Sequence, residues 1–274
     1  MVMDPIATYR AVLVVFSVGI LITTLEYFTI IREFQSGGIY SWEVFRGMVS
    51  RAKAGKPWRR AVDLLYDKKG VSTLLLLRLV SAVLLIGISP ERWEFTALAV
   101  TLAASHLAFS LRQVFGEDGS DQMNSIIAIT IAVCVGPHSS PWLLEIGLWF
   151  LALQACLSYF SAGVAKIVSP VWRSGAAVLL VFNTGSYGDE SAGAFLTRYP
   201  AVARAMTWGT VVFEVTFPAC LLLPPRMMWL ILGCGVAFHL TIAVVMGLNN
   251  FVWSFLAVYP AIAYVAARTS KLLW

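Results

Sequence analysis

The stretch Tyr159-Phe-Ser-Ala-Gly-Val-Ala-Lys-Ile-Val-Ser-Pro-Val-Trp-Arg173 decides how this chain is read. It closes a run that begins near Trp142, stays apolar through Phe160, and then meets Gly163, Lys166 and Pro170. A run of that length and character is a membrane-crossing helix. Pro170 lacks an amide proton and biases Ser169 away from helical geometry, so the helix is expected to stop there. Lys166 then falls in the last turn, where the helix dipole favours a cation. Two readings of it stand side by side. Either it snorkels to the interface beside a tryptophan anchor, Trp172, or it is a functional amine in a polar pocket.

The same character extends outward over all 274 residues, of which 59% are hydrophobic and only 13% charged, with a mean hydropathy of +0.78. The charged fraction is about half that of soluble proteins, which excludes an ordinary water-soluble domain. The expected class is all-α: a polytopic integral membrane helical bundle whose partner is the lipid bilayer. No stretch is long and polar enough to fold separately in water, so residues 1–274 read as a single domain. The net charge of +5 suits basic membrane-flanking loops, and no nucleic-acid partner follows from it. Cys134, Cys156, Cys220 and Cys234 lie in apolar runs without metal-ligand spacing and read as packing residues. The first apolar segment is not followed by a small-residue cleavage site and is expected to be retained.

About eight spans are expected, beginning with Ala11 to Ile31, Val71 to Ile88, Phe95 to Leu111 and a short one from Ser125 to Val135. Trp142 to Lys166, Val202 to Leu223, Met227 to Met246 and Phe251 to Ala267 complete the set. Ionisable residues inside them are expensive and need partners. Arg78 requires a carboxylate or a backbone partner, and Glu26 and Glu214 are both candidates. His106 reads as a hydrogen-bonding strut between helices. Glu214, midway along its span, is the costliest residue to place, and Pro218 one turn later is expected to kink the helix.

The connections carry further signals. Arg32 to Gly70 holds nine Lys or Arg residues. Within it, Ser41 to Ser50 places Trp42, Phe45 and Val49 on one face, as an amphipathic helix on the membrane surface does. The cluster Arg51, Lys53, Lys56, Arg59 and Arg60 suits anionic headgroups, or alternatively a negative substrate. Arg112 leads into a turn at Gly116 and Gly119, with Asp118 or Ser120 as helix cap. Asp121, Gln122 and Asn124 exceed what capping requires and point to a polar pocket opening at the interface. Trp172 to Phe182 reads as a re-entrant half-helix, and Asn183 to Tyr199 as a flexible lid. No P-loop, nucleophile elbow, dinucleotide fingerprint or zinc motif is present, and the scattered histidines suggest no metal site.

Tyr159-Phe-Ser-Ala-Gly-Val-Ala-Lys-Ile followed by Trp172 resembles the helix that carries the active-site lysine of vitamin K-dependent gamma-glutamyl carboxylase. Phe213-Glu214, Phe238-His239-Leu240 and Phe251 resemble the second half of the same membrane domain. The Asp118 to Asn124 run takes the place of the carboxylase's polar segment. Together these resemble the HTTM (horizontally transferred transmembrane) domain, which also occurs in bacterial stand-alone proteins of the SdpB toxin-maturation type, from Ala11 to Ala267. The resemblance implies a multi-pass protein of the cell membrane with Lys166 as base, Glu214 and His239 as its catalytic partners, and a quinone or hydroquinone cofactor. Asp121, Gln122, Asn124, Trp172 and Arg112 then serve substrate binding. This chain departs from the pattern at Asn124, where the carboxylase has a catalytic histidine, and no counterpart of the carboxylase's large lumenal domain is expected. Both departures count against faithful glutamate carboxylation.

Two functions follow. One is an enzyme with a Lys-centred intramembrane pocket that performs quinone-linked modification of a peptide or small lipophilic substrate. The other is a non-enzymatic membrane factor for maturation, export or immunity of a small secreted peptide. With eight spans, fourteen Lys and Arg residues, including those near Lys166, fall on one membrane side and five on the other. The positive-inside rule puts the richer side in the cytoplasm, whereas the resemblance implies the exterior. The charge rule is followed here: cysteines introduced at Ser50 and Ser139 and probed in intact cells with an impermeant thiol reagent should label only at Ser139. Labelling only at Ser50 reverses the orientation.

Overall fold

The computed structural model describes residues 4–35, 37–49, 62–111 and 118–273, and every regular element among them is helical. The basic cluster from Arg51 to Arg60 and Arg112 lie outside the described residues. Contacts group the chain into two compact units, residues 13–139, and residues 1–12 with 140–274. Helix α1 (Pro5–Thr29) runs without interruption through the point where they divide.

Five helices are long and apolar enough to cross a membrane. They are α1, α3 (Lys68–Gly87), α6 (Pro141–Val168), α11 (Pro225–Met246) and α12 (Asn250–Leu273). Helices also form at the other three expected spans: α4 (Trp93–Ser110, 18 residues), α5 (Gly119–Cys134, 16 residues) and α10 (Pro200–Thr216, 17 residues). Large side chains such as Leu76, Val83, Phe150, Trp229 and Val244 point outward from these helices, and such a surface suits a lipid bilayer.

In the 13–139 unit, α3 packs on α4 and α4 on α5. A helix, α2 (Trp42–Val49), forms where the surface helix is expected, after a 3-10 turn at Ile31–Phe34. The side chains of Phe45 and Val49 are outside the description, but Trp42 is anchored. Its indole Nε1 donates to Asp63 at 2.7 Å and its ring lies 5.0 Å from that of Tyr66. The Tyr66 hydroxyl donates in turn to the carbonyl of Ala108 on α4. Tyr27, Phe34, Tyr40 and Phe109 form an aromatic cluster beneath this connection. Arg78 pairs with neither candidate carboxylate: its Nη2 donates to the Thr23 hydroxyl at 3.1 Å, while Glu214 is taken by Lys166. Thr23 is one turn before Glu26, so the helix was legible and the partner was not.

In the second unit α6 packs on α10 and α12. It starts at Pro141, capped by the Ser140 hydroxyl, and stops at Val168, as Pro170 requires. The expected half-helix divides into a single turn, α7 (Pro170–Arg173), and α8 (Ala177–Phe182). The break is at Gly175, whose φ of +79° is one that glycine adopts without strain. Thr207 of α10 secures it by accepting from Val178 N at 3.2 Å, with its hydroxyl 3.1 Å from the Gly175 carbonyl. The expected lid is also corrected. Residues 183–199 contain α9 (Glu190–Arg198), capped by the Asp189 carboxylate and seated through Leu196 on Val178, Phe182 and Ala203. Its three glycines, Gly185, Gly188 and Gly193, suggested a loop, but a capped amphipathic turn with one buried leucine outweighs them.

Helix α10 ends at Thr216 and continues as a 3-10 turn at Phe217–Leu221. Pro218 has no N–H to give to the Glu214 carbonyl, which is the physical cause of the change. Helices α6 and α10 meet at Gly163, where an added Cβ would sit 2.7 Å from Val215 Cγ2 and 2.9 Å from its backbone nitrogen. Alanine at a helix interior gains about 1 kcal/mol over glycine, but overpacking against backbone costs about 1–3 kcal/mol. The clash is expected to win: Gly163→Ala should lower the melting temperature of the detergent-purified protein. A raised melting temperature means that the two helices separate freely.

Candidate functional site

The close approach at Gly163 brings together the two most expensive side chains of the second unit. Lys166 Nζ donates to both carboxylate oxygens of Glu214, at 2.8 and 2.7 Å. The Glu214 side chain is 6% exposed and that of Lys166 is 20%, so the pair is buried at its carboxylate end and touches the surroundings only through the lysine. The break after Pro170 turns the chain so that the Trp172 ring lies 5.1 Å from Lys166 Nζ, within cation–π range. Two interactions therefore saturate the ammonium group, one ionic and one aromatic.

About two turns earlier on the same face of α6 stands Tyr159. Its hydroxyl lies 2.6 Å from Nε2 of His239 and 2.9 Å from the hydroxyl of Tyr259. Gly235 of α11 makes room for the Tyr259 hydroxyl, since a Cβ there would collide with it. The three groups form a short hydrogen-bonded chain in which protons can run in either direction, depending on the histidine tautomer. His239 stacks on Phe255 at 4.6 Å, and Tyr159 on Phe217 at 3.8 Å. Phe213, next to Glu214, meets the edge of Tyr159 at 5.7 Å. His239 Nδ1 is buried without a hydrogen-bond partner.

The other residues singled out from the sequence belong to the 13–139 unit. Asp118 and Asp121 form a reciprocal capping box at the start of α5, so Asp121 has a local structural task as well. Gln122 is exposed and Asn124 is buried. Arg112 lies outside the described residues. Within the second unit the structure joins Lys166, Glu214 and Trp172, and joins His239 to Tyr159. Tyr159 and Tyr259 were not singled out as site residues. The heptad spacing from Tyr159 to Lys166 was a usable signal, whereas Tyr259, next to a proline within a helix, gave none. Among the described residues no group of three His, Cys, Asp or Glu side chains is placed to hold a metal ion.

Chemically, the arrangement is a largely buried Lys–Glu ion pair that holds a proton donor and a proton acceptor within hydrogen-bond distance of each other. Removing one partner of a buried pair costs about 3–5 kcal/mol, and partial exposure of the lysine places this site near the lower end. Lys166→Met and Glu214→Gln are each expected to destabilise the protein in detergent unfolding, the double variant Lys166→Met/Glu214→Leu less than their sum. Neutral single variants mean that the pair is not held as described.

No family model matches the chain, and no solved structure does. Among curated proteins it is similar to an uncharacterized protein, YitO, of Bacillus subtilis (strain 168), with 30% identity over 110 residues. The match covers 39% of this chain and 35% of that protein, about a third of its length.

Proposed function

We propose that this chain is a multi-pass HTTM-type protein of the cell membrane and an enzyme whose base is Lys166. The observation that carries the reading is the doubly hydrogen-bonded Lys166–Glu214 pair, beside the Tyr159–His239 hydrogen bond. Helix packing alone does not call for such a concentration of ionisable groups in an apolar bundle. The eight-span topology fits the same reading. Helices α4, α5 and α10, at about 24–27 Å, fall only slightly short of a hydrocarbon core of about 30 Å, a mismatch that local thinning accommodates.

Each residue then has a task. Glu214 receives the lysine's proton and returns it, and Trp172 fixes the amine's position. Tyr159 and Tyr259 hold His239 through Nε2, which aims Nδ1 away from them as a free polar atom. The resemblance implies a quinone-type cofactor, and the residues fit one: the orphaned His239 Nδ1 and the aromatic side chains of Phe251 and Phe255 suit a flat ring bearing oxygen atoms. Such a ring, when bound in reduced form, supplies electrons and protons on oxidation. His239, Phe251 and Phe255 would hold it, with Lys166 moving a proton at Nζ.

The test is aerobic oxidation of a naphthohydroquinone by the reconstituted full-length chain. Lys166→Met should lower the rate by about 10²–10⁴-fold, the usual contribution of a general base, in protein that still elutes as a folded species. Tyr159→Phe should lower it less. Full activity in folded Lys166→Met removes the base assignment. Asn124 favours a second reading, a non-enzymatic factor that matures, exports or confers immunity to a secreted peptide. Failure of folded wild-type protein to oxidise the hydroquinone, with a small peptide retained on purification, selects it.

A further inference from the structure

Arg78 has a role to be explained that the Lys166 site leaves untouched. It sits midway along α3 and is 3% exposed. Among the described residues no carboxylate lies within ion-pair distance of it. Its contacts are one neutral hydroxyl, Thr23, and the face of Phe109 at 5.9 Å. Its Nε–H, on the edge of the guanidinium best suited to two-point recognition of an oxyanion, is buried without an acceptor. The Asp121 carboxylate acts on it only from beyond pairing distance.

A second orphan lies on the neighbouring helix. His106 on α4, which packs on α3, is also 3% exposed. Its Nε2 is 3.4 Å from the Asp121 carbonyl, while Nδ1 has no partner. A guanidinium with five donors and no counter-ion is rarely left so deep in an apolar bundle, and buried polar atoms of native proteins normally find partners. Among the buried side-chain atoms of this unit that lack a partner, these two are the nitrogens, and they mark an unassigned task. The surroundings indicate the partner's nature. Phe34, Val71, Leu74, Leu75 and Phe109 form the apolar cluster beside Arg78. An anion bound at Arg78 would meet guanidinium donors at its head and hydrocarbon around it.

We propose that Arg78, with His106, binds a carboxylate or phosphate oxyanion inside the 13–139 unit. The guanidinium supplies the charge and the Nε–H donor, Thr23 holds Nη2, and His106 Nδ1 offers a further polar atom. The site is independent of the Lys166 chemistry and stands whether or not that reading holds.

The test uses the purified full chain in a neutral detergent, with tritiated oleate as the carboxylate probe and a short-chain phosphatidic acid as the phosphate probe. Saturable binding near one probe per chain is expected, weakened at least ten-fold by Arg78→Met. Arg78→Lys keeps the buried charge and loses the Nε edge, so it should weaken binding about five-fold. Millimolar acetate or inorganic phosphate that displaces the probe assigns the site to free anions. Displacement by unlabelled amphiphile alone assigns it to a lipid-borne headgroup. Size-exclusion profile and melting temperature check folding, and should Arg78→Met fail to fold, Arg78→Lys decides alone. Non-saturable uptake, or wild-type affinity in the folded variants, overturns the proposal.

Discussion

Hydrocarbon does not solvate an isolated charge, and the Lys166–Glu214 pair is how the second unit meets that constraint. The pair ties α6 to α10, and several sequence features around it make sense only as conditions for it. Gly163 lets the helices approach closely enough for a lysine and a glutamate to meet. Pro170 ends α6 just beyond Lys166 and sends Trp172 back over the ammonium. Pro218 changes the helix one turn beyond Glu214. A single electrostatic requirement thus fixes the spacing, the end of one helix and the deformation of another.

The two units treat a buried charge differently. In the second, cation and anion neutralise each other with two short hydrogen bonds and an aromatic face. In the 13–139 unit Arg78 receives a hydroxyl and a ring, neither of which carries charge. Such an imbalance is a poor device for holding helices together, because the same bundle would be more stable with an apolar side chain of similar volume. Retaining the arginine makes sense when its charge is used.

The helical class and the approximate places of the helices were legible in the sequence because apolar runs of fixed length have few other uses. The end of α6 was legible too, since Pro170 leaves the chain no choice. That Glu214 belongs with Lys166 was implied by the resemblance alone, because cost by itself offered Glu214 to Arg78 equally well. What stayed hidden depended on rotation and depth. Glu26 and Thr23 are one turn apart on α1, and it is the rotation of the helix that turns the hydroxyl, not the carboxylate, toward Arg78. Tyr259 acquires its role from a hydrogen bond across a hundred residues to Tyr159. Helix α9 was missed because glycine content was weighed above one cap and one buried leucine.

The division of α1 between the units has a consequence for how the protein is made. Residues 13–139 form a unit whose parts have all been synthesised once Ser139 has been added. The first turns of α1 belong instead with residues 140–274, and Thr8, Tyr9 and Val12 are buried in the finished protein. Residues 1–12 are therefore packed later than the residues that follow them. During synthesis one end of a single continuous helix has its neighbours while the other waits for helices not yet inserted. An insertion factor that shelters nascent α1 would serve it over the turns before Leu13 rather than along the whole helix.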